Sequence, residues 1–103
     1  MLEHWRAFAL PFTMVAAIPN ARAFGQPGLT RGLFDLLVLA PGLPVGFLEL
    51  KRDRSAVVSA AQKEFAYVCG AVGIPCAVTY GRDEPIEILE QWGAVRRVRR
   101  AAA

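Results

Sequence analysis

The chain has 103 residues, of which 54% are apolar and 20% are charged. That length holds one domain and excludes two, and the apolar share builds one hydrophobic core and excludes a disordered chain. The formal charge is +3, but Arg96, Arg97, Arg99 and Arg100 leave eight basic against nine acidic residues over 1–95, so overall basicity says little about nucleic acid.

Residues 2–10 are expected to form a short helix, which Pro11 ends. Residues 7–18 are apolar and Ala21-Arg22-Ala23 imitates a cleavage site, but Glu3 opposes Arg6 and Pro11 interrupts the run, so no signal peptide is expected. Thr13–Ile18 is apolar and partly β-branched, which suits a strand, and Pro19-Asn20 stops it. Residues 20–31 hold Gly25, Pro27, Gly28 and two arginines and are expected to be a loop. Leu33–Ala40 is expected to be a second strand, buried on both faces because it is so apolar. Pro41-Gly42-Leu43-Pro44 makes a turn into a third strand, Val45–Lys51, and strands joined this closely form an antiparallel hairpin.

Ser59-Ala60-Ala61-Gln62 is a capping box. Ala61, Phe65, Val68, Cys69 and Val72 then recur at helical spacing on one face, and Gly73 closes that helix. Pro75–Tyr80 is expected to be a fourth strand. Pro85–Trp92 is expected to be a last helix, with Asp83 and Glu84 suiting its positive N-terminus. The uncharged stretch Phe65–Gly81 is broken by Gly70, Gly73 and Pro75 and is too short for a membrane helix, so a soluble, intracellular, cytoplasmic protein is expected. The expected fold is α/β: one domain over residues 1–95, a mixed central sheet flanked by helices in the order α-β-β-β-α-β-α, followed by a flexible basic tail over 96–103.

Three residues do not fit a plain core. Asp35 lies inside an otherwise apolar strand, where a carboxylate costs several kcal/mol unless it is paired or binds a cation. Glu49 and Lys51 share one face of the third strand because strand side chains alternate, and the hairpin brings Asp35 toward them. The alternative is an ordinary polar strand end, with Asp35 salt-bridged to an arginine. Cys69 and Cys76 have no metal-ligand spacing and are expected to be buried and reduced. One histidine, His4, does not make a zinc site with two distant cysteines.

Gly32-x-x-Asp35, then Glu49-Leu50-Lys51 closing a strand, then Ser59-x-x-Gln62-x-x-Phe65, resembles the PD-(D/E)XK nucleases, and most of all their VRR-NUC (virus-type replication-repair nuclease) branch. Ile18-Pro19-Asn20 and the Gly73 segment leading into a strand match as well, and the resemblance covers roughly residues 14–92. Phe34 departs from it, standing where the family often has proline. The family's first helix usually offers a glutamate, for which Glu3 is the candidate here.

The resemblance implies a metal-dependent nuclease of phage or prophage type, with Asp35, Glu49, Lys51 and Gln62 as its catalytic set. Asp35, Glu49 and the Leu50 backbone carbonyl would hold Mg²⁺ or Mn²⁺, with Glu3 as a further candidate ligand. Lys51 would orient the attacking water or neutralise developing charge, and Gln62 would hold Lys51 or that water. Branched DNA (junctions or flaps) and a homodimer follow from the resemblance alone. Arg22, Arg31, Arg52 and Arg54 flank the proposed centre as candidate phosphate contacts, while residues 82–90 are mostly acidic, which suggests one face for a polyanion and one that avoids it. Two other readings compete: a catalytically inactive DNA-binding module of the same fold, and an interaction protein in which Asp35 is merely salt-bridged.

Overall fold

The computed structural model describes residues 1–19 and 31–98. Seven elements follow in chain order: α1 (Leu2–Phe8), β1 (Met14–Ala17), β2 (Leu36–Ala40), β3 (Leu43–Lys51), α2 (Ala60–Val72), β4 (Cys76–Tyr80) and α3 (Asp83–Gln91). They form one four-stranded sheet in the order β1-β2-β3-β4. The β1–β2 and β2–β3 pairs are antiparallel and β3–β4 is parallel, joined through α2. The expected mixed sheet and element order are present. The loop expected over 20–31, with Arg22 in it, lies outside the described residues apart from Arg31.

Alternation along the strands divides the core in two. Leu36, Val38 and Leu48 point to one face and cluster with Val15, Leu89, Ala94 and Val95, against which α1 packs Leu2, Trp5 and Phe8. Phe47, one residue out of phase with Leu48, points to the other face, where its ring meets Phe65 of α2 edge-on at 5.0 Å. Helices α1 and α3 therefore cover one face and α2 the other.

Several boundaries differ from the sequence expectation. Helix α1 stops at Phe8, before Pro11, because Ala9 turns extended and residues 8–10 pair with 94–96 through Leu10 N–H to the Ala94 carbonyl (3.1 Å) and Arg96 N–H to the Phe8 carbonyl (2.9 Å). Beyond residue 95, the Arg96 N–H donates to the Phe8 carbonyl and the Val98 N–H donates to Glu90. Strand β2 begins at Leu36 because Phe34 leaves the ladder and packs its ring at 5.3 Å from Phe65. Within β2 burial alternates rather than being complete on both faces, since α2 covers its face only partly. For the same reason Val68 and Val72 stay exposed on α2.

The capping box at Ser59 and Gln62 is formed, and Gly73 ends α2 with a left-handed φ of 80°. Helix α3 starts two residues before Pro85, which is tolerated because a first-turn N–H has no intrahelical acceptor to lose. No described helix is long and apolar enough to cross a membrane.

Candidate active site

The β2–β3 register pairs Leu37 with Phe47 and Leu36 with Leu48. One further rung sets Asp35 opposite Glu49, and there the backbone ladder gives way to side chains. The N–H of Asp35 donates to Glu49 Oε1 at 3.1 Å, and the N–H of Leu50 donates to Asp35 Oδ2 at 2.9 Å. Each carboxylate thus accepts a backbone hydrogen bond from the opposite strand, and neither hydrogen-bonds the other.

Glu49 is the more constrained of the two. It is 4% exposed. Its Oε2 accepts from Gln62 Nε2 at 2.8 Å and lies 3.2 Å from Lys51 Nζ. Lys51 also donates to Gln62 Oε1 at 3.0 Å, and the same oxygen accepts the Ser59 N–H at 3.2 Å. Gln62 therefore caps α2 and ties Lys51 to Glu49 with one amide. Thr79, buried in β4, donates to the Glu49 carbonyl at 2.9 Å and fixes the backbone from the other side. Burial pushes the Glu49 carboxyl above its ordinary range and the Asp35 charge pushes it further, against hydrogen bonds from Lys51 and Gln62 and the Lys51 charge.

This arrangement fits a hard divalent cation. Two carboxylates repel one another in a half-buried site, which a cation between them would reverse. Among the described residues no donor reaches Asp35 Oδ1. The Leu50 carbonyl lies on the same edge of β3 as its N–H, facing Asp35, because both groups of a strand residue point the same way.

Gly32 sets the approach to this site. Its φ is +86°, and a Cβ there would lie 2.5 Å from the carbonyl carbon and oxygen of Ala61. The chain leading to Asp35 therefore runs directly against the first turn of α2, next to Gln62. No protein-family model matches the sequence, and no curated protein matches it. A solved structure described as "VRR_NUC domain protein" does match, with a TM-score of 0.64 and 26% sequence identity, over 76% of this chain and 66% of that one. The chain is a VRR-NUC-like domain. It spans just under two thirds of that neighbour's length.

Other candidate residues of this VRR-NUC-like domain sit elsewhere. Glu3 is exposed in the first turn of α1, a helix packed on the opposite face of the sheet from Glu49. No group of three or more His, Cys, Asp or Glu side chains suited to one ion occurs among the described residues. Arg52 is almost fully exposed and lies 3.7 Å from Asp53. Arg54 pairs with Glu84 and lies over the Tyr80 ring at 4.3 Å. That pairing joins the basic middle to the acidic 82–90 stretch, so the two are not segregated there as the charge pattern suggested. Arg31 is exposed and lines a groove with Ala61, Glu64, Phe65 and Val68.

Cys69 is buried, Cys76 is half-buried, and both are free thiols. Burial, then the neighbouring Cys69, pushes the Cys76 thiol up to about 12, which keeps it protonated and unreactive near neutral pH. Sequence reasoning missed Thr79 and the Arg54–Glu84 pair. A threonine hydroxyl inside the mostly apolar strand Cys76–Tyr80 was the available signal for the first, and nothing local signalled the second.

Proposed function

We propose that this domain is a metal-dependent nuclease that hydrolyses DNA phosphodiester bonds, with Asp35, Glu49, Lys51 and Gln62 as its reaction centre. The observation that carries this reading is the convergence of two carboxylates and an ammonium, tied together by one glutamine, at the end of the β2–β3 hairpin.

Asp35, Glu49 and the Leu50 carbonyl would hold Mg²⁺ or Mn²⁺. Such an ion, when bound, polarises a scissile phosphate and acidifies water. The N–H groups of Asp35 and Leu50 fix the two carboxylates that would hold it. Lys51 places its ammonium beside Glu49, where it neutralises negative charge that grows on the phosphate oxygens in the transition state. Gln62 holds that ammonium in place. Preference for junctions, flaps or other branched DNA, and action as a homodimer, belong to the same proposal. A two-fold pair of sites suits a symmetric junction.

The test is cleavage of labelled linear and branched DNA by the purified chain with Mg²⁺, with Mn²⁺ and with chelator. Cleavage is expected with either ion and none with chelator. Lys51→Ala is expected to cut at least ~100-fold more slowly, the scale of losing one charge-stabilising group, while keeping its DNA affinity. Tight binding with no cleavage under any condition points instead to an inactive DNA-binding module. Cleavage by Lys51→Ala at the wild-type rate overturns the assigned centre. Light scattering at micromolar concentration tests the dimer.

A further inference from the structure

Among the described residues only Glu49 and Thr79 are both polar and fully buried, and the hydroxyl of the second bonds to the backbone of the first. Thr79 is 2% exposed. Leu50 is its partner in the β3–β4 ladder, so the Thr79 side chain points away from the Glu49 carboxylate, to the face covered by α1 and α3. The three residues before it in β4, Cys76, Ala77 and Val78, are apolar. A hydroxyl in such a place costs stability unless it finds an acceptor. The acceptor it takes is the Glu49 carbonyl, at 2.9 Å.

That carbonyl is one end of a peptide group whose other end is the Leu50 N–H. A peptide group is planar and trans, so its two ends point in opposite directions across the strand. The carbonyl faces β4. The N–H faces β2, where it donates to Asp35 Oδ2 at 2.9 Å. The Thr79 hydroxyl, this peptide group and the Asp35 carboxylate therefore form one continuous chain, with both hydrogen bonds donated in the same sense, from the core toward the site. Hydrogen bonds in such a chain polarise one another. A proton donated to the carbonyl draws electron density from the amide nitrogen, and its N–H becomes a stronger donor to the carboxylate.

We infer that Thr79 is a positioning residue for Asp35, acting on it through the Glu49–Leu50 peptide group without touching it. This rests on the nuclease reading and deepens it, since Asp35 is one of the two carboxylates that would hold the ion. The Thr79 hydroxyl opposes rotation of the peptide group about the strand axis, a motion that would carry the Leu50 N–H away from Asp35. A carboxylate held in orientation and supported in its ionised form binds a divalent ion more tightly than a loose one. Thr79 thus tunes the site from the opposite face of the sheet, where no substrate reaches it.

Two variants of the full chain separate the hydroxyl from the packing. Thr79→Val keeps the shape and loses the hydroxyl, and Thr79→Ser keeps the hydroxyl and loses a methyl group. The first readout is calorimetric titration with Mn²⁺ in the absence of DNA. Thr79→Val is expected to bind Mn²⁺ about tenfold more weakly than the wild type, and Thr79→Ser to bind within about twofold of it, even though the serine chain melts lower because of its small cavity. Thr79→Ala, which also lacks the hydroxyl, replaces the valine variant should that chain be unstable. The second readout needs no metal. Melting in chelator is compared for the wild type, Thr79→Val, Asp35→Ala and the double variant. Residues that do not touch ordinarily contribute additively, whereas a shared chain makes the Thr79→Val shift smaller in Asp35→Ala than in the wild type. Wild-type Mn²⁺ affinity in Thr79→Val, a serine variant as weak as the valine one, or additive melting shifts each overturn the inference. A wild-type chain that binds Mn²⁺ and cuts no DNA is the failure of the nuclease reading alone, and the order of affinities still decides the role of Thr79. A wild-type chain that binds no Mn²⁺ fails that reading as well, and the melting comparison then decides.

Discussion

Lys51 and Gln62 meet at 3.0 Å, Nζ to Oε1, and this contact links the end of the sheet to the start of a helix. The amide of Gln62 has two ends, and each holds one partner: its oxygen takes the ammonium and its nitrogen holds Glu49 at 2.8 Å. A glutamine satisfies both at once because it is donor and acceptor together. A glutamate there would repel Glu49, and a lysine would repel Lys51.

Ser59→Ala and Gln62→Ala therefore separate two jobs. Each removes one of the two capping-box bonds, at a cost of about 1 kcal/mol in stability. Only Gln62→Ala also releases Lys51 and Glu49. Thermal melting is expected to fall for both variants, and further for Gln62→Ala, which also strips a hydrogen bond from buried Glu49, whereas single-turnover cleavage falls at least ~10-fold for Gln62→Ala and stays within a few-fold for Ser59→Ala. Equal cleavage rates would reduce Gln62 to a cap.

Asp35→Asn is expected to abolish cleavage without harming the metal-free fold. The asparagine oxygen still accepts the Leu50 N–H, and its amide nitrogen takes the place of Oδ1, which meets no donor among the described residues. The change also removes the charge that opposes ionisation of Glu49. In chelator the melting temperature is expected to rise by about 4 °C, the equivalent of ~1 kcal/mol in a domain this size. Added Mn²⁺ is expected to raise it for the wild type only. A fall in chelator would mean that Asp35 is paired in a way the hydrogen bonds do not reveal.

The pH dependence follows from the raised Glu49 carboxyl. A folded-state pKa above the unfolded one means that the native protein keeps a proton the unfolded chain has released. The stability from this group is complete below the ordinary glutamate range and is lost as pH rises through the raised value. Melting in chelator across that window is expected to fall with rising pH in the wild type and to fall less in Asp35→Asn. Mn²⁺ is expected to abolish the decline, since ion binding favours the ionised form. Parallel curves for the two proteins would remove Asp35 as a cause of the shift.

Arg97 is exposed, one residue beyond the segment 94–96 that pairs with residues 8–10. Arg97→Ala is expected to weaken DNA binding modestly and to reduce the salt slope of log Kd by about one unit, the signature of one lost phosphate contact. The single-turnover rate at saturating protein is expected to stay unchanged. A changed rate with an unchanged salt slope would place Arg97 in the chemistry instead.

Much of this was legible in the sequence, for local reasons. Ser59, Gln62 and Gly73 announce the bounds of α2 because caps are encoded by residues a few positions apart. Asp35 and Glu49 stood out because a charge in an apolar strand demands a partner. The start of β2 was not legible. Phe34 reads as one more strand residue, and only the neighbouring Phe65 explains why it leaves the ladder. Arg54 reads as a free cation beside the site, and its pairing with Glu84, thirty positions along the chain, depends on how β3, β4 and α3 are stacked. Glu3 fits the family pattern by type and order, yet it lies on the wrong side of the sheet, which spacing does not encode.

The last rung of the hairpin is made of carboxylates in place of backbone carbonyls. Whatever occupies the space between Asp35 and Glu49 must therefore pull on the acceptors of two main-chain amides. The nitrogen-bound protons of Asp35 and Leu50 become built-in gauges. In a nitrogen-15 correlation spectrum these two resonances should move first and furthest when an ion is titrated in, and their shifts would count occupancy without any substrate, label or turnover.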